Sequence, residues 1–206
     1  MNANSPNGAP WWLTAVLILL FVLSLGYLDY GNIQSGMPPG EVALTSLLLA
    51  VPLILLYFSV GVLVRAALQR KRQGQISPRL AKLIYWTPRI AGIVIALFVS
   101  LFALDVFDME GSIWEKIGGF IIHALPAIFM GIVVWLAWKR DWLGFAVFLI
   151  AALFFFRTLL GGLERWLGMF LLFSGPMAAI SALYWVNWKW KKELHPTQPL
   201  TQTLPS

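Results

Sequence analysis

The amino-acid sequence predicts an all-α, polytopic transmembrane helix bundle with six spans, and three observations lead to that prediction. The chain has 206 residues and a mean hydropathy of +0.77, with 59% hydrophobic and 12% charged residues. That composition leaves too little polar surface to cover a soluble globule. Six apolar stretches are separated by polar loops, and Lys and Arg concentrate in alternate loops, as the positive-inside rule describes.

The six spans follow from the length of each apolar stretch. A helix that crosses a hydrocarbon core of roughly 30 Å needs about 20 apolar residues. The expected spans are 11–28, 42–64, 90–107, 117–138, 142–163 and 168–188. Asp105 shortens the apolar run of the third span, and Arg157 has to lie near an end of the fifth, because a charge at the bilayer centre is costly.

The orientation follows from the basic residues. Twelve of the fifteen Lys and Arg residues fall on one side of the expected topology, and Lys116, Arg157 and Arg165 fall on the other. By the positive-inside rule the basic side is cytoplasmic, so both termini are expected inside. Most of the tryptophans also lie at boundaries on this side, where interfacial aromatic residues are common.

The expected organisation has four parts. Residues 1–64 form an N-terminal transmembrane hairpin, 65–89 a basic cytoplasmic loop, 90–192 a four-helix transmembrane unit and 193–206 a disordered cytoplasmic tail. Within the loop, Ser77 followed by Pro78 is a helix-start signal and predicts a short helix lying in the membrane interface. Thr87 precedes Pro88 and is biased away from helical backbone, so the chain is expected to bend there before the third span.

The basic loop supplies the candidate contacts for anionic lipids at the cytoplasmic face. They are Arg70, Lys71, Arg72, Arg79, Lys82 and Arg89. One interpretation is recognition of a specific anionic lipid or protein partner. The other is ordinary orientation in the membrane with weak attraction to the anionic leaflet, worth about 1 kcal/mol per charge.

Asp105, His123 and Arg157 form a candidate polar cluster near the outer leaflet. Asp105 and His123 flank the same external loop on antiparallel helices, and Arg157 lies near the outer end of the fifth span. If the three converge, they would make a proton-sensitive gate or an outward-opening polar pocket. The alternative is that Asp105 ends a helix, His123 bonds a neighbouring helix and Arg157 reaches outward to the headgroups.

Several kinds of chemistry find no support in the sequence. The chain has no cysteine, which excludes disulfides, thiolate metal sites and cysteine nucleophiles. It has no glycine-rich phosphate loop, no nucleophile elbow and no zinc-protease motif, so neither a catalytic site nor a cofactor or metal is expected. The basic residues sit where membrane topology places them, so a nucleic-acid partner is not expected either.

Five short motifs between about residues 80 and 192 carry a resemblance. They are the runs 85–90, 102–107, 122–126, 137–142 and 174–176, which read YWTPRI, FALDVF, IHALP, AWKRDW and SGP. This part resembles a family of small bacterial and archaeal membrane proteins known as a domain of unknown function. In that family an aromatic and then an acidic residue more often precede the second Trp of the turn, so Lys139-Arg140-Asp141 departs from the pattern. The resemblance implies topology and no activity.

These observations together favour an integral protein of a prokaryotic plasma membrane that has no enzymatic activity. It is expected to act through membrane lipids or a protein partner, including a second copy of itself. The alternative is a small transporter or channel component that uses Asp105, His123 and Arg157.

Overall fold

The computed structural model describes residues 10–157 and 162–194, without the side chains of residues 163–165, and this part of the chain is helical with no strand. The first five helices are α1 (Trp11–Gln34), α2 (Pro39–Gln73), α3 (Pro78–Leu101), α4 (Ile113–Ala137) and α5 (Asp141–Phe156). They are followed by α6 (Leu163–Met169), α7 (Gly175–Lys189) and α8 (Lys191–Leu194). A 3₁₀ turn, Leu104–Asp108, lies between α3 and α4, and a π-helical turn, Phe170–Ser174, joins α6 to α7.

Five helical segments in the described ranges are long and apolar enough to cross a membrane. They are α1, α2, α3 with its 3₁₀ turn, α4, and the stretch Trp166–Lys189 that runs from α6 into α7. The fifth expected span is represented by α5, which is apolar but has only 16 residues. That expectation reached residue 163, and its part over 158–161 lies outside the described residues.

Local signals explain where the helices begin and end. Proline at the first position starts both α2 and α3, where its missing N–H leaves no helical bond unmade. At the end of α2, Gly74 adopts a left-handed conformation with φ +70 and donates its N–H to the carbonyl of Arg70 at 2.9 Å. Ser112 and Glu115 form a capping box that starts α4.

The expected basic loop over 65–89 is largely helical. Residues 65–73 belong to the last turns of α2, and α3 continues from Pro78 through Thr87 and Pro88 without a break. Only residues 74–77 connect the two helices. Residues 78–101 are therefore one continuous helix in the structure, where the sequence predicted a separate interfacial helix and then a bend at Pro88. A proline inside a helix is tolerated where other donors satisfy the carbonyls it frees, and α3 has such donors.

The core centres on α7, which contacts α2, α3 and α5. Its pairing with α5 is the most extensive of the bundle. Ser174 and Ser181 donate hydrogen bonds to the α5 carbonyls of Ala152 and Phe145, both at 2.8 Å. Next to the Ser181 bond, Gly144 of α5 lies against the Tyr184 ring, where an added Cβ would be 2.7 Å from ring carbons.

The C-terminal segment differs from the expected tail. The helix α7 ends at Lys189, and the chain turns at Trp190 into α8, whose Leu194 is buried against a cluster that includes Val62, Ile84 and Leu183. Glu193 and Leu194 are therefore helical, and the rest of the expected tail, 195–206, lies outside the described residues.

Candidate functional site

The cationic residues gather at one end of the bundle, which we name the basic end. Here α2 ends, α3 and α5 begin, and α4, α7 and α8 end. Contacts between sequence-distant residues hold these helix ends together. The basic end contains a buried polar cluster, an exposed cationic surface and a cleft.

The buried polar cluster is built around Arg89 of α3. Its side chain is only 1% exposed, and its Nη2 donates to Oδ1 of Asp141, the first residue of α5, at 2.7 Å. Nη1 donates to the backbone carbonyl of Tyr85. The guanidinium lies over the Tyr85 ring, with Cζ 3.8 Å from the ring centroid. A buried cation of this kind is stable only when paired and hydrogen-bonded, and Arg89 is both.

Asn187 of α7 completes the connection between α3 and α7. Pro88 has no N–H for the carbonyl of Ile84, four residues before it. The Nδ2 of Asn187 donates to that carbonyl at 2.7 Å and also to the carbonyl of Leu183 at 2.9 Å. The side chain of Asn187 therefore replaces the helical bond that Pro88 cannot make, which is why α3 continues through the proline.

Tyr184 lies between the ion pair and the α5–α7 contact. Its ring is fully buried, stacks on Phe148 and has its centroid 5.8 Å from Cζ of Arg89. Its hydroxyl and Nε of Arg89 are buried polar atoms without a hydrogen-bond partner among the described residues. The cluster of Arg89, Asp141, Tyr184 and Asn187 thus joins α3, α5 and α7 at one level of the bundle.

An aromatic layer continues the cluster to the surface. The Trp86 and Trp138 rings meet edge to face with centroids 6.0 Å apart, and Tyr85 meets Trp86 in the same way at 5.6 Å. Two of the motifs that carried the family resemblance, 85–90 and 137–142, therefore contact each other twice. One contact is the tryptophan pair, and the other is the Arg89–Asp141 ion pair.

A second ion pair fixes the C-terminal segment to α2. Arg70 Nη2 lies 2.8 Å from Oε1 of Glu193, and the Arg70 guanidinium stacks on the Trp190 ring at 4.3 Å. The two charged side chains are 40% and 41% exposed, so solvent weakens this pair.

The cleft of the basic end lies between the start of α3 and α8 and has a volume of about 410 Å³. Its polar lining comes from Lys82 and Glu193, and its aromatic lining from Tyr85 and Trp86. Ile76, Pro78, Ala81 and Leu194 supply the apolar lining. The cleft is open on one side, so it is accessible from outside the bundle.

The structure separates the six candidate lipid contacts into three groups. Lys71, Arg72, Arg79 and Lys82 are exposed. Arg70 is half-buried and paired with Glu193. Arg89 is buried, so it is not available to a lipid headgroup and the expectation for it has to be corrected. The side chain of Arg89 enters the bundle, where it pairs with Asp141.

The candidate outer cluster is not assembled by direct contacts. Asp105 lies exposed in the 3₁₀ turn after α3. His123 is exposed on α4, with Nδ1 2.9 Å from the carbonyl of Gly119, and Arg157 lies over the Phe154 ring at 4.4 Å. In the described part of the chain, no hydrogen bond or ion pair joins any two of Asp105, His123 and Arg157. The described part of the chain also includes no group of three His, Cys, Asp or Glu side chains that could hold a metal ion.

Sequence reasoning missed Asp141, Tyr184 and Asn187. A signal for Asp141 was present, because only two of the nine acidic residues, Asp141 and Glu193, fall on the side that holds twelve cations. Each of these two acids makes an ion pair in the structure. The sequence gives no comparable signal for Tyr184 and Asn187, since both residue types are also common near membrane interfaces and helix ends.

The described residues form an all-helical bundle in which five helical segments are long and apolar enough to cross a membrane. The chain belongs to the family described as a domain of unknown function (DUF7670), which matches residues 77–195 and confirms the resemblance noted above. The match contains the whole buried polar cluster, whereas α1 and α2 precede it. No similar curated protein and no similar solved structure was found.

Proposed function

We propose that this protein is a six-span integral protein of a prokaryotic plasma membrane, with the basic end and both termini in the cytoplasm. It acts without catalysis, by binding anionic lipid headgroups on the cationic surface of the basic end. The observation that carries this proposal is that Lys71, Arg72, Arg79 and Lys82 are exposed together at one end of an apolar bundle.

The pairing of α5 with α7 supports a sixth crossing. Ser181 of α7 and Ser174, which directly precedes α7, donate hydrogen bonds to the α5 carbonyls of Phe145 and Ala152, so the two helices run side by side. The 16 residues of α5 span roughly 24 Å, which is somewhat less than the roughly 30 Å of a typical core. Because α7 belongs to a segment able to cross the membrane, its neighbour α5 crosses with it.

The length of α2 supports a position of the cations at headgroup depth. Its 35 residues measure roughly 52 Å, well beyond the roughly 30 Å hydrocarbon core. The excess lies at the basic end, where the last turn carries Arg70, Lys71 and Arg72. Exposed cations at this depth attract an anionic leaflet with about 1 kcal/mol per charge.

The burial of Arg89 supports binding over catalysis. Its guanidinium is held by Asp141, by a backbone carbonyl and by the Tyr85 ring, so its charge is used to connect helices. The cations that remain accessible lie on the surface, where they fit attraction of headgroups.

The proposal is tested with the protein in lipid nanodiscs that contain phosphatidylglycerol in a phosphatidylcholine background. A spin-labelled phosphatidylglycerol reports how much anionic lipid surrounds the protein. We expect enrichment with the native chain and a large loss of it in the triple variant Lys71→Gln, Arg72→Gln, Arg79→Gln.

The matched control is Lys116→Gln, which removes a partly exposed cation from α4 at the opposite end. We expect this variant to keep the native enrichment. Equal enrichment in the triple variant would contradict the proposal and would leave a protein partner as the better explanation of the cationic surface.

A further inference from the structure

We propose that the cleft of the basic end binds one phospholipid with an ethanolamine headgroup. The inference depends on the membrane location proposed above, and Lys82 is the one residue that it shares with the exposed cations of the basic end. It concerns a defined cleft, a single lipid molecule and a zwitterionic headgroup.

The cleft carries opposite charges on its two walls. Lys82 of α3 supplies an ammonium group that makes no hydrogen bond or ion pair with the described residues. Glu193 of α8 supplies a carboxylate whose Oε1 accepts from Arg70, while Oε2 has no bond in this part of the chain. A headgroup with a phosphate and an ammonium a few atoms apart can therefore contact Lys82 and Glu193 together.

The kind of cation follows from the acceptor. A carboxylate oxygen is best matched by a group with N–H donors, because charge-assisted hydrogen bonds are stronger than neutral ones. The primary ammonium of ethanolamine has such donors, whereas the trimethylammonium of choline has none. Glycerol headgroups carry no positive charge, and their phosphate would leave Glu193 as an unfavourable neighbour.

The remaining lining suits the lipid below its headgroup. Ile76, Pro78 and Ala81 at the start of α3 and Leu194 of α8 present apolar surface toward the glycerol backbone and the first carbons of an acyl chain. Trp86 is part of the same lining and is partly exposed, as expected for a tryptophan at the membrane interface. The volume of about 410 Å³ lies within the range of pockets that hold small molecules.

The test uses the full-length protein in nanodiscs of equal parts phosphatidylethanolamine, phosphatidylcholine and phosphatidylglycerol. Native mass spectrometry after mild release measures which lipid stays bound. We expect one retained phosphatidylethanolamine per chain.

Loss of either charged contact, in Lys82→Gln or Glu193→Gln, is expected to lower the retention of phosphatidylethanolamine about tenfold. The matched control Lys139→Gln removes an exposed cation outside the cleft and is expected to leave retention unchanged.

The variant Arg70→Gln is expected to raise the retention of phosphatidylethanolamine, which damage to the structure would not do. This change removes the partner of Glu193, so the carboxylate is left entirely for the lipid ammonium and retention of phosphatidylethanolamine is expected to rise. A fall in retention would overturn the proposal. A melting curve for each variant shows whether the fold is kept.

Three other outcomes would also overturn the proposal. They are preferential retention of phosphatidylglycerol that does not change with Glu193→Gln, equal retention of phosphatidylcholine, and no lipid retained in a fixed ratio. The proposed function can fail independently of this proposal. It predicts an enrichment of anionic lipid that depends on Lys71, Arg72 and Arg79, and that enrichment is measured with spin-labelled phosphatidylglycerol. Enrichment without a retained lipid would leave that function intact.

Discussion

The two ends of the bundle carry opposite charges and are built differently. At the basic end, hydrogen bonds and ion pairs join residues that are far apart in sequence, as in Arg89 with Asp141 and Asn187 with the carbonyl of Ile84. At the opposite end the polar contacts are more local. Ser112 bonds Glu115, Lys116 bonds the carbonyl of Phe107, and Ser46 of α2 bonds Asp29 of α1.

This difference shows that charge alone does not identify a structural or functional centre. Both ends contain charged residues beside apolar helices, but the charged side chain that is buried among the described residues, Arg89, lies at the basic end. There, Asn187 connects α7 with α3 beside Pro88, and the Arg89–Asp141 ion pair connects α3 with α5. We conclude that the basic end sets the arrangement of α3, α5 and α7.

The largest expected effect comes from Arg89→Met. The change leaves the mostly buried carboxylate of Asp141 without its partner, and breaking a buried pair in this way costs about 3 kcal/mol. Reversible unfolding in mixed detergent micelles measures the loss in free energy of unfolding. Arg79→Met on the same helix is the matched control, because Arg79 is exposed. Equal losses in the two variants would mean that the burial of Arg89 carries no special weight.

A smaller effect is expected from Asn187→Leu, which removes the donor to the Ile84 carbonyl. An unsatisfied buried carbonyl costs about 1–3 kcal/mol. Pro88→Ala restores a backbone N–H at the position that can bond Ile84, so in the Pro88→Ala background the same change is expected to cost less. Unfolding free energies of the four proteins give the coupling. If the cost of Asn187→Leu were the same in both backgrounds, the proposed replacement of the helical bond would be wrong.

Gly144→Ala tests the close contact between α5 and α7. Its Cβ would lie 2.7 Å from the Tyr184 ring, and overpacking of this kind costs about 1–3 kcal/mol. Gly131→Ala in α4 is the matched control, since no atom lies within 4 Å of the added carbon and alanine favours helix. Thermal unfolding is expected to shift down for Gly144→Ala and slightly up for Gly131→Ala. Matching shifts would argue against the tight packing.

The sequence was sufficient for the general architecture because hydropathy is a property of whole segments. The helical class, the approximate positions of the helices and the family were all recognisable from apolar runs and short motifs. Pro78, which starts α3, acts through local backbone geometry, and the sequence predicted this helix start for that reason.

The buried polar cluster could not be predicted from the sequence in the same way, because its contacts join residues that lie far apart in the chain. Pro88 was interpreted as a helix boundary, since the compensating donor Asn187 lies 99 residues later. Arg89 was interpreted as a lipid contact, since its partner Asp141 begins a different helix. Local rules describe what each residue favours within its own segment. Contacts with another helix change that preference, as Asn187 of α7 does beside Pro88 and Asp141 of α5 does for Arg89.

Two double-mutant cycles measured side by side test the contrast between the ends most directly. One combines Arg89→Met with Asp141→Asn, and the other combines Asp105→Asn with His123→Ala, with the free energy of unfolding as the readout. We predict a coupling of about 2 kcal/mol for the first pair, because the two groups are in contact and buried, and additive effects for the second pair. Additive effects of Arg89 and Asp141, or strong coupling between Asp105 and His123, would contradict the central claim that the basic end organises the bundle.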